Sequence, residues 1–248
     1  MSNPVLYVFA ISHYCEKARW ALDYLNIDYD IRFTPPGAHR KITAKLGLRS
    51  SALPILVTDG VVTQGSADII TWADAASTTD SKRLTPDSAY EECMAIEKRL
   101  DDIAGIHARR YYYSEAMVDH PRTVRSMFSD NLPMMQKLTV VVSWGMIRKL
   151  MIKRMDLGPD QGRESREIVD AELLWLDELL SDGREFLSGD GFSRADITAA
   201  SLLAPLASPK EHPTYNRLEL PPNLSIDLEN WKNRPSLVWV RDTYTKYR

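Results

Sequence analysis

Apolar and polar positions change their period at Ser12. Val5–Ile11 (VLYVFAI) is a seven-residue apolar run rich in β-branched and aromatic residues, which is typical of a buried strand. After the junction, apolar residues return at helical spacing between charged ones, at Ala18, Leu22 and Leu25. The pattern therefore predicts a strand followed by an amphipathic helix. A serine at the junction either caps the helix or presents its hydroxyl where the first helix amides converge.

A second group of strands follows this helix. Alternation in Asp28–Phe33 predicts a half-exposed strand that completes a βαβ unit with the first strand and helix. Leu53–Val57 is a short apolar run whose second residue is proline, which a sheet accepts at its start or edge. Asp59 and Gly60 predict a two-residue hairpin turn into another strand, and a helix is expected from Ser66.

The rest of the chain has a helical pattern. Apolar residues recur at spacings of three and four in residues 88–116 and 164–182. A capping box of Ser193 and Asp196 marks the start of a buried helix, and a last helix is expected over Pro235–Tyr247. We therefore expect an α/β domain followed by an all-α domain. The predicted boundaries are residues 1–78 for the first domain, 79–87 for a linker and 88–248 for the helical domain.

Composition argues against several classes of protein. The chain has 248 residues, a formal net charge of −3 and no long run of one charge sign, so a general nucleic-acid surface is not expected. No basic residue precedes the first apolar stretch, which is only as long as a strand, so no secretory signal is expected. Cys15 and Cys93 are too few and too far apart for a disulfide framework or a zinc site. These features predict a cytoplasmic protein with reduced thiols and no metal.

The order of these elements resembles that of the glutathione S-transferases. The run SHYCEKARWAL, which begins at Ser12, is similar to the serine-type members of that family, such as the theta and zeta classes. The Leu-Pro pair at residues 53–54 and the later capping box lie at matching distances. The resemblance spans nearly the whole chain. It implies a thioredoxin-like α/β N-terminal domain, an all-α C-terminal helical bundle that lines the electrophile pocket, and a homodimer.

The resemblance also assigns roles to residues. Ser12 matches the serine that holds the glutathione thiolate, whereas Val8 stands where tyrosine-type members place their tyrosine. A cis bond between Leu53 and Pro54 is expected to turn the Leu53 backbone toward glutathione, and Ser66 matches the serine that binds the γ-glutamyl carboxylate. The implied reaction joins glutathione to a small hydrophobic electrophile, or adds it to or eliminates it from one, in detoxification. The expected glutathione-binding set is His39, Leu53, Pro54, Gln64, Gly65 and Ser66.

Three features leave alternatives open. Many members have Glu or Gln directly before the serine, whereas this chain has Gly65 preceded by Gln64, which favours a non-catalytic protein that binds glutathione or hydrophobic ligands. Ser12 and Cys15 have the spacing of a CxxC motif that lacks its attacking cysteine, so a glutathione-dependent oxidoreductase is a second alternative. His39 opens a basic segment that is either a solvated helix face or a cationic lip for a ligand carboxylate.

Residues 132–155 form the least typical segment. They include five basic residues and no acid, and their longest uncharged run, 138–147, has ten residues and is too short to span a bilayer. One interpretation is a core helix of the helical domain with a basic C-terminal end. The other is contact with a membrane surface or a bulky anionic ligand. The preceding tyrosines, Tyr111, Tyr112 and Tyr113, are expected to approach the electrophile pocket.

Overall fold

The computed structural model describes residues 3–77, 82–215 and 220–248, and the chain divides into two compact units. The first unit takes in the chain up to Leu84 together with Arg125–Ile147, and the second consists of Thr85–Val124 and Arg148–Arg248. Part of the predicted linker, residues 79–87, lies outside the described residues. The predicted boundaries at residues 78 and 88 stay a prediction.

The first unit contains a four-stranded sheet with strand order β2-β1-β3-β4. β1 runs parallel to β2 and antiparallel to β3, and β3 forms a hairpin with β4. Asp59 and Gly60 make the hairpin turn with φ angles of 47° and 85°, the left-handed pair that a tight two-residue turn needs. This arrangement confirms the thioredoxin-like α/β prediction. The elements are β1 (Val5–Val8), α1 (His13–Tyr24), β2 (Asp30–Phe33), α2 (Ala38–Lys45), β3 (Ile55–Thr58), β4 (Val61–Gln64) and α3 (Ser66–Ala76).

The described residues beyond position 77 contain helices and no strand, which confirms the all-α prediction. A π-helical turn at Leu100–Ala104 joins α4 to α5, and a 3-10 turn at Leu180–Asp182 follows α8. α6 and α7 each cross a boundary between the two compact units. The helices are α4 (Tyr90–Arg99), α5 (Gly105–Asp119), α6 (Pro121–Ser129), α7 (Met134–Met155), α8 (Pro159–Leu179), α9 (Arg194–Ala207), α10 (Pro222–Trp231) and α11 (Pro235–Tyr247).

The core of the first unit follows from the alternation of β1. Leu6 and Val8 are fully buried, while Val5 and Tyr7 remain half-exposed because successive side chains leave opposite faces of a strand. Trp20 on α1 is also fully buried, and α1 packs against α3. β1 is therefore an interior strand, and the loop after it is fixed by neighbours on both sides.

A buried ion pair ties the second unit together. Arg194, at the start of α9, donates from Nε to Glu97 of α4 at 2.5 Å, and both side chains are about as buried as the apolar core. The guanidinium also donates to Thr85 at 3.2 Å. Removing one member of such a pair leaves an uncompensated buried charge, so the pair fixes how α4 and α9 pack.

The capping box at the start of α9 is present and reaches further than predicted. The Asp196 carboxylate accepts hydrogen bonds from the backbone amide and the hydroxyl of Ser193, at 2.8 and 2.7 Å. Its other oxygen accepts from the backbone amide of Leu187 at 2.8 Å. One carboxylate thus satisfies three buried donors and fixes the loop that precedes the helix.

The interpretation of residues 132–155 as a core helix is wrong. α7 covers Met134–Met155, and its recorded buried side chains are Val140 and Trp144. Lys153 and Arg154 do lie in its last turn, where cations suit the negative end of the helix dipole. Among the described residues, no helix is both long and apolar enough to cross a membrane.

Replacing Asp196 by alanine is expected to lower stability without changing the chemistry of the site. Three buried donors lose their acceptor, so the free energy of unfolding should fall by about 1 to 3 kcal/mol. Urea denaturation of Asp196→Ala measures this change, with the exposed Asp190 as control because Asp190→Ala should shift stability by less than about 0.5 kcal/mol. Unchanged stability combined with lost activity would instead make Asp196 part of the site.

Candidate functional site

The sheet topology brings four chain segments to one edge. Tyr7 pairs with Ile55 at the end of β1 and the start of β3, and Ile55 also pairs with Gln64 at the end of β4. β2 is parallel to β1, so Phe33 ends beside Val8. The loops that carry Ser12, the Leu-Pro pair, Ser66 and His39 therefore all leave the sheet at the same edge, as the predicted site requires.

Ser12 is the N-cap of α1. Its backbone is extended, with φ −77° and ψ 118°, and its Oγ accepts a hydrogen bond from the Cys15 amide at 3.3 Å. Its own amide donates to the carbonyl of Phe9 at 3.3 Å. The side chain is half-exposed. The hydroxyl therefore caps the helix with a lone pair and lies at the positive end of the helix dipole.

Cys15 lies one turn into the same helix and is fully buried. Its sulfur accepts a hydrogen bond from the Phe9 amide at 3.4 Å. Burial raises the pKa of the Cys15 thiol to about 11, although the neighbouring Ser12 hydroxyl and the Phe9 amide act in the opposite direction. This thiol is held in its neutral form at neutral pH.

The bond between Leu53 and Pro54 is cis, which confirms that prediction. Both residues are buried, and the Pro54 carbonyl accepts a hydrogen bond from the Gly65 amide at 3.0 Å. This bond ties the residue that precedes β3 to the N-cap of α3. The Leu-Pro pair and Ser66, the first residue of α3, are consequently held side by side.

α3 begins at a glycine that has no capping side chain. Gly65 is the N-cap, with φ 105° and ψ 144°, a backbone region that favours glycine. Ser66 follows it and is buried. Helix amides that lack a capping side chain favour anions, and the assignment of this terminus to the γ-glutamyl carboxylate stays a prediction.

Gln64 has a structural role that the sequence did not indicate. Its side-chain nitrogen donates to the carbonyls of Ser50 and Ala52, at 3.1 and 2.8 Å. The amide thus braces the loop that leads into Leu53. Long-range contacts of this kind leave no signal in local periodicity.

His39 lies in the first turn of α2, on the same edge of the sheet. Its Nδ1 accepts a hydrogen bond from the Gly37 amide at 3.1 Å, and its ring meets that of Phe9 edge-on at 4.9 Å. Arg40 and Lys41 are exposed. The imidazole is thus oriented by its own turn and by an aromatic neighbour.

A group of aromatic side chains stands next to the Ser12 loop within the first unit. Phe9 also meets Phe128 of α6 edge-on at 5.8 Å, and Phe128 contacts Trp144 of α7 at 6.4 Å. Sequence reasoning missed these partners, because nothing in the spacing of residues 121–144 indicates which strand they approach. Among the described residues, no group of His, Cys, Asp and Glu has the geometry to hold a metal ion.

The three tyrosines of α5 are buried within the second unit. Tyr111 donates to the Asp227 carboxylate at 2.6 Å, and Arg166 donates to both oxygens of the same carboxylate. Tyr112 packs against Tyr113 and Tyr215. These contacts give Tyr111 and Tyr112 structural roles, and their place at an electrophile pocket stays a prediction.

Comparisons with known proteins agree with this geometry. Residues 6–80 match the family model of the glutathione S-transferase N-terminal domain. No curated protein matches the chain. Many solved structures are similar to it over nearly the whole chain; the three described next are less than 25% identical, so they show the fold alone.

The first of these structures is the β-etherase LigF from Sphingobium sp. strain SYK-6, with 18% identity, TM-score 0.59, and coverage of 98% of this chain and 100% of that one. The second is the human theta-class glutathione transferase in complex with the glutathione conjugate of 1-menaphthyl sulfate, with 17% identity, TM-score 0.62, and coverage of 97% and 80%. The third is a glutathione S-transferase of Ceriporiopsis subvermispora in complex with glutathione, with 15% identity, TM-score 0.62, and coverage of 100% and 98%.

The family match lies on the unit that carries Ser12, the cis Leu-Pro pair and Ser66, and the fold match extends over both units. The chain therefore contains a glutathione S-transferase N-terminal domain in residues 6–80 and has the glutathione S-transferase fold.

Proposed function

We propose that this protein is a serine-type glutathione transferase, in which Ser12 stabilises the glutathione thiolate for attack on a small hydrophobic electrophile. The observation that carries the proposal is the position of the Ser12 hydroxyl. It is the half-exposed N-cap of α1 and lies at the sheet edge that also holds the cis Leu-Pro pair and the N-terminus of α3.

Ser12 and α1 can supply the free energy that is needed to lower the pKa of the glutathione thiol. A thiol with a pKa of about 8.5 is only a few per cent thiolate at neutral pH, and lowering its pKa by about two units takes roughly 2.7 kcal/mol. A hydrogen bond to a charged group contributes roughly 1.5 to 3 kcal/mol, and a helix N-terminus adds roughly 0.3 to 1 kcal/mol. Ser12 and α1 together suffice, and the thiol proton leaves to solvent.

The rest of glutathione has matching partners in the same unit. The Leu53 backbone would pair with the cysteinyl part, and Ser66 with the first amides of α3 would receive the γ-glutamyl carboxylate. His39, near Phe9 at the same edge, would face a further part of the tripeptide. In this proposal Gln64 and Gly65 act indirectly, since Gln64 braces the Leu53 loop and Gly65 bonds to Pro54.

The proposal extends to substrate and setting. The aromatic group of Phe9, Phe128 and Trp144 beside the Ser12 loop supports an apolar electrophile. Both cysteines are free and buried, which supports a reducing, cytoplasmic environment. A homodimer with a role in detoxification completes the proposal, on the strength of the fold resemblance.

One observation favours a second candidate, a protein that binds glutathione or hydrophobic ligands without catalysis. Gly65 offers no side chain where many members have Glu or Gln, and the neighbouring Gln64 amide is committed to the Ser50 and Ala52 carbonyls. Calorimetric titration with glutathione, combined with the thiolate absorbance of the complex, separates the candidates. An enzyme should bind glutathione and show a thiolate band at neutral pH, whereas a binding protein should show no such band.

Replacing Ser12 by alanine should reduce kcat/KM for conjugation of glutathione to chlorodinitrobenzene by roughly 10- to 150-fold. The variant loses one hydrogen bond to a charged group, worth roughly 1.5 to 3 kcal/mol, while the backbone contacts to glutathione remain. Steady-state kinetics measures the fall in kcat/KM, and calorimetric titration checks that the variant still binds glutathione.

Because Ser12 also caps α1, a second variant separates its two roles. Ser12→Thr keeps both the cap and the hydroxyl donor and should retain most of the activity, whereas Ser12→Asp keeps the cap but repels a thiolate and should lose it. Full activity in Ser12→Ala, or in Ser12→Asp, would show that the thiolate is stabilised elsewhere.

The oxidoreductase alternative is expected to fail because Cys15 is buried. With its pKa raised to about 11, roughly one thiol in ten thousand is ionised at pH 7. In a Cys93→Ala background, where Cys15 is the only thiol, a disulfide reagent should leave the native protein unmodified at neutral pH and should react after unfolding. Rapid labelling of the native protein, with loss of activity, would restore the redox hypothesis.

A further inference from the structure

α7 exposes an unusual amount of apolar surface. Seven of its apolar side chains are between 41% and 79% exposed, whereas scattered single residues are the norm on a protein surface. The positions recur at helical spacing, so they form one stripe that ends in lysines. We define the outer face of α7 by the exposed residues Met135, Leu138, Val142, Met146, Lys149 and Lys153.

This helix belongs to a basic segment of an otherwise acidic chain. Residues 121–155 contain seven Lys or Arg and a single acid, Asp130, which gives a formal charge of +6, whereas the whole chain has a formal charge of −3. Within α7 itself there is no acid. The charge of this segment is therefore complementary to an anionic partner.

The dimensions of α7 argue against a second copy of the chain as that partner. A helix of 22 residues is about 33 Å long and about 10 Å wide. One face therefore offers on the order of 300 Å² per copy, and about 600 Å² for two, which is below the roughly 1,200 Å² of a stable protein interface. α7 also has no carboxylate to pair with the lysines of a partner helix.

We propose that the outer face of α7 binds the surface of an anionic lipid bilayer. Leu138, Val142 and Met146 would enter the boundary between headgroups and acyl chains, which rewards buried apolar area. Lys149 and Lys153, one and two turns further along the same face, would extend to the lipid phosphates. An exposed stripe of methionine, leucine and valine can pack against acyl chains, whereas its side chains have no hydrogen-bond donors for the phosphates of a nucleic acid.

Sedimentation of the full chain with vesicles tests this proposal. Two preparations are compared: phosphatidylcholine alone, and equal parts of phosphatidylcholine and phosphatidylglycerol. The protein is expected to pellet with the anionic vesicles, to remain in solution with the neutral ones, and to be released as salt concentration rises. Analytical ultracentrifugation without vesicles records the oligomeric state of each variant.

Two variants act on the two parts of the face. Val142→Asp places a charge in the apolar stripe, and the double variant Lys149→Glu with Lys153→Glu reverses the charge of the basic end. Each should weaken vesicle binding by about tenfold or more.

Matched controls lie elsewhere on the surface. Ile226→Asp introduces the same change at an exposed apolar position of α10, and Lys41→Glu with Lys45→Glu reverses two exposed lysines of α2. Both controls should bind vesicles much as the unaltered protein does.

Three outcomes would overturn the proposal. The first is that the protein pellets with anionic vesicles at no salt concentration, and the second is that the α7 variants and their controls bind equally well. The third is a dimer that dissociates in Val142→Asp while no variant binds vesicles, which would make the outer face an interface between copies.

Discussion

The site depends on the central position of β1 in the sheet. β1 pairs in parallel with β2 and antiparallel with β3, and this mixed pairing brings the end of β1 to the start of β3. Because β4 returns antiparallel beside β3, the N-terminus of α3 reaches the same edge. Ser12 and Ser66 are far apart along the chain, yet the register leaves them little freedom to separate. A slip of one residue would turn every core side chain of β1 outward, so the core fixes the register and the register fixes the site.

Those features that depend on neighbours along the chain could be predicted from the sequence. The cap at Ser12, the Asp59-Gly60 hairpin and the capping box at Ser193 each follow from residues within four positions of one another. Other features depend on contacts across the fold and left no local signal. The Gln64 amide reaches the Ala52 carbonyl, and Phe128 reaches Phe9. Periodicity identified the apolar positions of α7 but not whether anything covers them, and the core interpretation failed for that reason.

The backbone conformation of Gly65 accounts for the departure from the family pattern at this position. The φ of 105° at this N-cap is a conformation that a side chain would strain by roughly 1 to 3 kcal/mol. Glycine adopts it without strain and still donates its amide to Pro54. Position 65 therefore has no side chain that could contact a ligand. The side-chain amide of Gln64 is also engaged, because it braces the loop before Leu53. In the proposed function, Ser66 and the first amides of α3 would hold the γ-glutamyl group.

α7 contributes to the aromatic group beside Ser12 with one side and forms the outer face with the other. Trp144 is buried and contacts Phe128, whereas Val142 and Met146, two positions away on either side, are among the most exposed residues of the chain. On its inner side α7 is held by the buried side chains Val140 and Trp144 and by Arg148, which donates hydrogen bonds to the carbonyls of Met117 and Val118. Trp144 contacts Phe128, and Phe128 contacts the ring of Phe9 next to the Ser12 loop. One helix therefore contributes both the exposed apolar outer face and, through Trp144, a part of the buried aromatic group.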